Sequence, residues 1–283
     1  MLLTNPFAEL SALISPSIMQ GYIILMVLLV VGGTILDMIH KKSAQYFFEN
    51  AKKAQKSAKR TVGVGEKTSI AVAVLANEIL TSGEFENTRR RLSHLLTMYG
   101  FIIFVATTAI MIFGYPTRDI PTPAILPQLW HLGALMLAVG GSWFWFFIRV
   151  DVSAEGLPWF RVERADIFIL SLLTTSTFAL IWSFTQSQGI AGWKTLFLVL
   201  FIISNTTLFA SVLWSKFAHM FFKPAAAFQK RITRADGSRE NLPPDYDLTD
   251  PAVQAKFPDI PQYMGKKPAY MGHGIKRESA NHY

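Results

Sequence analysis

The sequence predicts an all-α integral membrane protein with five transmembrane helices. Three observations lead there. Of 283 residues, 51% are hydrophobic and only 16% are charged, where an ordinary soluble domain carries about 25% charged residues. Five apolar runs are each about 20 residues long, enough to cross the hydrocarbon core of a bilayer as helices. The Lys and Arg residues crowd into alternate connecting segments, which is how helical membrane proteins encode their orientation.

The first span is read at about 18–40, "IMQGYIILMVLLVVGGTILDMIH". The second is at about 93–114, the third at about 127–149, the fourth at about 166–187 and the fifth at about 193–219. Backbone polar groups in lipid must pair internally, so each run is expected to be helical. The segment before the first span has no basic stretch of the kind that opens a signal peptide, and it is read as an uncleaved amino terminus. Four regions follow: 1–40 (outer terminus and first helix), 41–92 (basic loop with helical segments), 93–223 (four further helices) and 224–283 (Pro-rich tail).

Orientation comes from the basic residues. Residues 1–40 contain no Lys or Arg, and residues 41–92 contain eleven. Segment 115–126 contains only Arg118, 149–165 contains three, and the fourth connection contributes only Lys194. From Lys216 onward there are eleven. The positive-inside rule then predicts the amino terminus outside and the carboxyl terminus in the cytoplasm, in a multi-pass protein of the bacterial inner membrane.

Two parts are expected to stand clear of the spans. "TSIAVAVLANEIL" at 68–80 is apolar but too short to cross, so it is expected to pack on the bundle or lie in the interface. The segment from Pro224 holds seven of the fourteen prolines and little apolar periodicity, as suits an extended arm laid over a partner.

Several chemistries are excluded. With no cysteine there are no disulfides, cysteine-ligated clusters, thiolate zinc sites or thiol catalysis. No Gly-rich phosphate loop, H-E-x-x-H or G-x-S-x-G occurs. The net charge of +8 is assigned to cytoplasmic loops and lipid headgroups rather than to nucleic acid. Mid-membrane charges and paired broken helices, the marks of a transporter, are missing.

Any redox centre must then use histidine, methionine or an organic cofactor. His94 opens the second span, His219 closes the fifth and His40 closes the first, all on the basic side. His131 opens the third span on the other side, where it has no histidine partner; it is read as contacting a quinone or as sitting in the interface beside Trp130. Arg91 precedes His94 by three residues; Lys216 and Lys223 flank His219 at minus three and plus four. Each imidazole thus has a cation on its own helical face. A haem b held edge-on between two helices needs an imidazole on each side of the iron and cations for its propionates. His94 and His219 are the candidate iron ligands, with Arg91, Lys216 and Lys223 as the cations and His40 as an alternative ligand. The competing reading is a set of interfacial histidines and lysines that meet headgroups and snorkel. Asp37 is placed to orient His40, Asp166 to cap the fourth span, and Asn205, Thr206 and Thr207 to bond between helices.

Three stretches, "SGEFENTRRRLSHLLTMYGF" (82–101), "PQLWHLGALMLAVGGSWFWFFIRVDVSAEG" (127–156) and "WSKFAHMFFKPAAAFQKR" (214–231), carry a resemblance. They resemble the membrane subunit of dissimilatory adenylylsulfate reductase in sulfur-oxidising bacteria, the AprM type. More distantly, "RLSHLLTMYGF" and "SKFAHMFFKP" are similar to the histidine-bearing helices of gamma-type cytochrome b subunits, such as those of nitrate reductase and quinone-interacting oxidoreductase complexes. The resemblance implies a membrane anchor and electron-transfer subunit. The soluble alpha and beta subunits would oxidise sulfite with AMP, and electrons would pass through this chain to the quinone pool. It also implies that His94 and His219 lie on haem-ligand helices. A haemless anchor that only tethers the soluble enzyme stays open, as does a gamma-type subunit of another quinone-linked oxidoreductase.

Overall fold

The computed structural model describes residues 2–83, 85, 87–149, 160–215, 217, 219–239 and 247–266. Among these the secondary structure is helical, with no strand. Five helices are long and apolar enough to cross a membrane.

The chain opens with a short helix, α1 (Pro6–Leu10). Asn5 caps it by accepting from Phe7 N and Ala8 N, and Pro6 sits where its missing N–H costs nothing. α2 (Pro16–Lys41) is the first span. α3 (Ser43–Lys56) follows across Lys42, whose φ of 51° breaks the helix. α4 (Val64–Val74) continues into a π-helical turn, Leu75–Leu80. α5 (Thr88–Gly114) is the second span, capped by Asn87 through Arg89 N and Arg90 N. α6 (Ile125–Trp143) runs into a π turn, Phe144–Ile148. α7 (Ile167–Ser187) and α8 (Ala191–Ala210) complete the spans. α9 (His219–Ala235) and a short α10 (Pro251–Lys256) lie beyond them.

Hydrogen bonds assign the loops to two faces. Asn5 Nδ2 donates to Tyr115 O (2.9 Å) and to Thr122 Oγ1 (3.1 Å). Gln186 Nε2 donates to Pro6 O at 2.9 Å, and Arg118 pairs with Glu9. The amino terminus, the α5–α6 connection and the end of α7 therefore share one face, here the amino-terminal face. On the opposite, basic face, Lys59 N and Arg60 N donate to Asp236 O (2.8 and 3.2 Å), and Arg231 pairs with Glu78. α3, α4 and α9 thus pack on one another on that face.

Small residues let α5 and α6 meet closely. A Cβ on Gly133 would lie 2.8 Å from Phe104 N, and one on Gly140 would lie 2.7 Å from Thr97 Oγ1. Ser93 Oγ donates to Gly140 O at 2.9 Å across the same seam. Such contacts take the place of the hydrophobic drive that lipid cannot supply. α2 joins the bundle through Tyr22, whose hydroxyl meets Thr206 Oγ1 (2.9 Å) and accepts from Asn205 Nδ2 (3.0 Å). Thr207 instead bonds back to Ile203 O within its own helix.

Three expectations are corrected. The fifth span does not reach residue 219: α8 ends at Ala210, where Ser211 N returns to Thr207 O and Ser215 N to Ser211 O in a tight turn. The residues from Pro224 to Ala235 are not arm but helix, because the apolar side of α9 finds α3 and α4 to pack on. Asp166 does stand at the N-cap position of α7, but its carboxylate turns away from that helix, accepting from Arg149 Nε (2.8 Å) and, in a capping box, from Glu163 N (2.9 Å).

Candidate functional site

His94, Arg91 and Lys223 gather at the basic-face end of α5, around the strap that joins the Leu75–Leu80 turn to α5. His94 is half-buried, and its Nδ1 meets Ser82 Oγ at 2.9 Å. Ser82 is fully buried and holds a φ of 49°, a left-handed conformation that a non-glycine residue keeps only when its surroundings impose it. Arg91 Nε donates to Thr81 O (2.7 Å), and Tyr99 hydroxyl donates to Leu80 O (2.7 Å). Three side chains of one helix thus pin three consecutive strap residues. Gly83 completes the strap: its N–H donates to Asn77 O at 2.7 Å, and a Cβ there would stand 2.5 Å from that oxygen.

Phe85 ties the strap to α9. Its ring lies 5.0 Å from the His94 ring, with Lys223 Nζ 5.0 Å and Arg90 Cζ 5.3 Å from its centroid. Cations over an aromatic face are attracted by its quadrupole. Further along, Phe217 packs 6.4 Å from Phe101, seven residues past His94 on α5. The chain from 217 to 223 therefore runs beside the helix that carries His94. His219 opens α9 within that stretch; its side chain, and all of Lys216, lie outside the described residues. Lys223 comes to the cluster as expected, Arg91 joins it through the strap, and Arg90 is a further cation that the sequence reading passed over. The spacing Phe85-x4-Arg90 across a cap was the only clue, and such clues are weak. His40 is exposed at the end of α2 and joins no described cluster, while Asp37 beside it is buried.

For a haem b the donor chemistry at His94 fits. An imidazole whose Nδ1 is held by a hydroxyl is oriented to ligate through Nε2. Lys223 and Arg90 stand near enough to meet carboxylates. Among the described residues no three His, Asp or Glu side chains converge as a metal-ion cluster.

His131 lies beside Trp130, as one of its two readings had it, but inside the bundle rather than at its edge. It is 4% exposed, with Nδ1 donating to Pro127 O at 2.6 Å and Nε2 accepting from Ser183 at 2.8 Å. The carbonyl can only accept, so it fixes the hydrogen on Nδ1 and leaves Nε2 for the hydroxyl. Both nitrogens are used inside the bundle, and the ring lies 4.9 Å from that of Trp130, which in turn packs on Phe7 and Trp182. Of "SWFWFF", Trp145 is buried under Arg149, whose guanidinium lies 4.3 Å from its ring, while Phe146 and Phe147 are exposed on the apolar surface.

No family model, no curated protein and no solved structure matches this chain.

Proposed function

We propose that this chain is a membrane anchor and electron-transfer subunit that links a cytoplasmic adenylylsulfate reductase, oxidising sulfite with AMP, to the quinone pool of a bacterial inner membrane. The observation that supports this reading best is the convergence of His94 with the 217–223 stretch around Phe85, on the face that carries the basic helical layer. An acidic soluble partner docked on that layer stands beside the one described cluster with redox-ligand chemistry.

In this reading His94 and His219 hold a haem b, with Lys223, Lys216, Arg90 and Arg91 as cations at its rim. The haem, when bound, supplies one-electron relay between the partner's carriers and quinone. Ser82 orients the His94 imidazole through Nδ1. The fixed strap limits the approach of water to that imidazole, since Thr81 and Leu80 are tied down by Arg91 and Tyr99. A positively charged surface raises the encounter rate with an acidic partner.

A haemless tether is the second reading, and one observation favours it: Arg91 and His94 already serve the strap, so neither needs a cofactor to account for its place. A dithionite-reduced minus oxidised spectrum of purified, haem-replete protein separates the two. A b-type α band lost in both His94→Ala and His219→Ala supports the relay. Absence of a band defeats it and leaves the tether, which co-sedimentation of the soluble subunits with membranes tests by itself. Retention of the band in one variant reassigns that ligand, with His40 the first to try.

A further inference from the structure

The apolar segment 68–80 is too short to span, and it lies within α4 and its π turn, Val64 to Leu80, whose place relative to the spans says more. It starts in the polar layer: Glu66 pairs with Arg60, whose Nε also donates to Ala235 O. From there α4 and its π turn extend roughly 25 Å, at a rise of about 1.5 Å per residue. The far end is held by Tyr99, which meets Leu80 O. Tyr99 lies eight residues past Arg91 on α5, and its hydroxyl and Arg91 Nε meet the neighbouring carbonyls Leu80 O and Thr81 O, so the tip sits between the arginine band of residues 89–91 and the level of Tyr99. After Leu80 the strap returns to Asn87 and that band.

Two further features belong to a segment that has left water. The carbonyls at its tip are paired within the protein: Asn77 O takes Gly83 N and Thr81 Oγ1, Leu80 O takes Tyr99, Thr81 O takes Arg91 and Ser82 O takes Phe85 N. Non-helical backbone at membrane depth is tolerated only when so satisfied. Among the described residues the carboxylate near the tip is Glu78, which accepts from both Nε and a terminal nitrogen of Arg231 at 2.8 Å and so is neutralised within the protein. Between Lys67 and Glu78 there are ten consecutive uncharged residues, and Val72, Leu75 and Leu80 are 60%, 50% and 46% exposed.

We propose that residues 64–82 form a re-entrant hairpin whose tip, Val72–Leu80, is seated in the acyl region of the leaflet on the basic face. The occupant of its exposed apolar side is lipid chain, not a soluble partner. The hairpin sets the floor under His94 and makes the site open to the bilayer rather than to the aqueous layer.

The cysteine-free chain allows a direct test. Single variants Val72→Cys and Leu75→Cys, each at an exposed position, are spin-labelled in liposomes of the full chain. Lys53→Cys on α3 and Ile102→Cys on the apolar surface of α5 serve as polar and lipid references. Collision with oxygen against a water-soluble nickel chelate is then measured. Labels at 72 and 75 matching Ile102→Cys, with nickel accessibility at least fivefold below Lys53→Cys, are the expected result. Accessibility like that of Lys53→Cys overturns the hairpin and makes the stripe a docking face for a soluble protein. If spin-labelling perturbs the fold, unlabelled Leu75→Cys in open membrane fragments answers the same question. It should resist a charged maleimide until detergent is added, and prompt reaction sinks the proposal.

Discussion

His131 on α6 and Ser183 on α7 hydrogen-bond at 2.8 Å in the interior of the bundle, on the side of the amino terminus. The bond joins two spans and uses the last free nitrogen of a buried imidazole. Ser183→Ala leaves that nitrogen without its donor. Interhelical hydrogen bonds in membranes are worth about 0.6 kcal/mol on average and up to ~1.7, and both side chains are buried. We expect a loss of about 1 kcal/mol, read as reduced thermal stability in detergent. Neither Ser183→Ala nor His131→Asn should alter any haem spectrum. A changed band in either would return His131 to the redox site.

The α5–α6 seam sets a sharper stability prediction. A methyl on Gly133 meets Phe104 N at 2.8 Å and Gly100 O at 2.9 Å, both backbone atoms that cannot rotate away. Overpacking of this kind costs about 1–3 kcal/mol. Gly133→Ala should therefore destabilise the chain measurably, whereas Gly114→Ala, which meets nothing within 4 Å, should not. Equal effects from the two would refute a backbone-contact seam.

Arg149 and Asp166 form an ion pair with each side chain only 13% exposed, and Arg149 also donates to Arg161 O at 2.7 Å. Removing one partner strands the other charge, at about 3–5 kcal/mol for a buried pair. Asp166→Asn, which keeps the shape, should lower the melting temperature strongly. The double variant Arg149→Met with Asp166→Leu should recover part of the loss, and a thermal-shift series over the four proteins reads the coupling.

A pH dependence belongs to the basic layer. Hydrogen bonding to Arg60 holds the Glu66 carboxyl below its ordinary range and raises the Arg60 guanidinium. A depressed carboxyl contributes stability that is present above the unfolded value and is lost as pH falls through the lowered folded value. The contact of α4 with the 235–236 turn should therefore hold at neutral pH and loosen only below the usual carboxylate range. Carboxyl NMR of Glu66 should show that late titration, and Arg60→Gln should return it to normal. The effect on global unfolding should be small, because the pair is solvent-exposed.

Much of the fold could be read from the residues themselves. Apolar runs of span length, interrupted by charge, leave helices as the only way to pair the backbone in lipid, and five such helices are present. The side-chain bonds of Asn205 and Thr206 followed from polar residues in an otherwise apolar helix. The end of the fifth span did not follow. Hydrophobicity continues through "SVLWSKFAHMFF", while the helix stops at Ala210 because serines 211 and 215 form a local turn that composition does not reveal.

What the sequence determined by itself was therefore the class of solvent and the number of spans, since each depends on composition and on helical period. Only the tertiary structure decided which partners the polar side chains take. His131 spends both nitrogens inside the bundle, and Arg91 and His94 pin a strap ten and twelve residues before them in the chain. The short apolar segment 68–80 acquires a depth only through Tyr99 and Leu80. Such contacts depend on where the chain returns in space, and no periodicity along one helix carries that information.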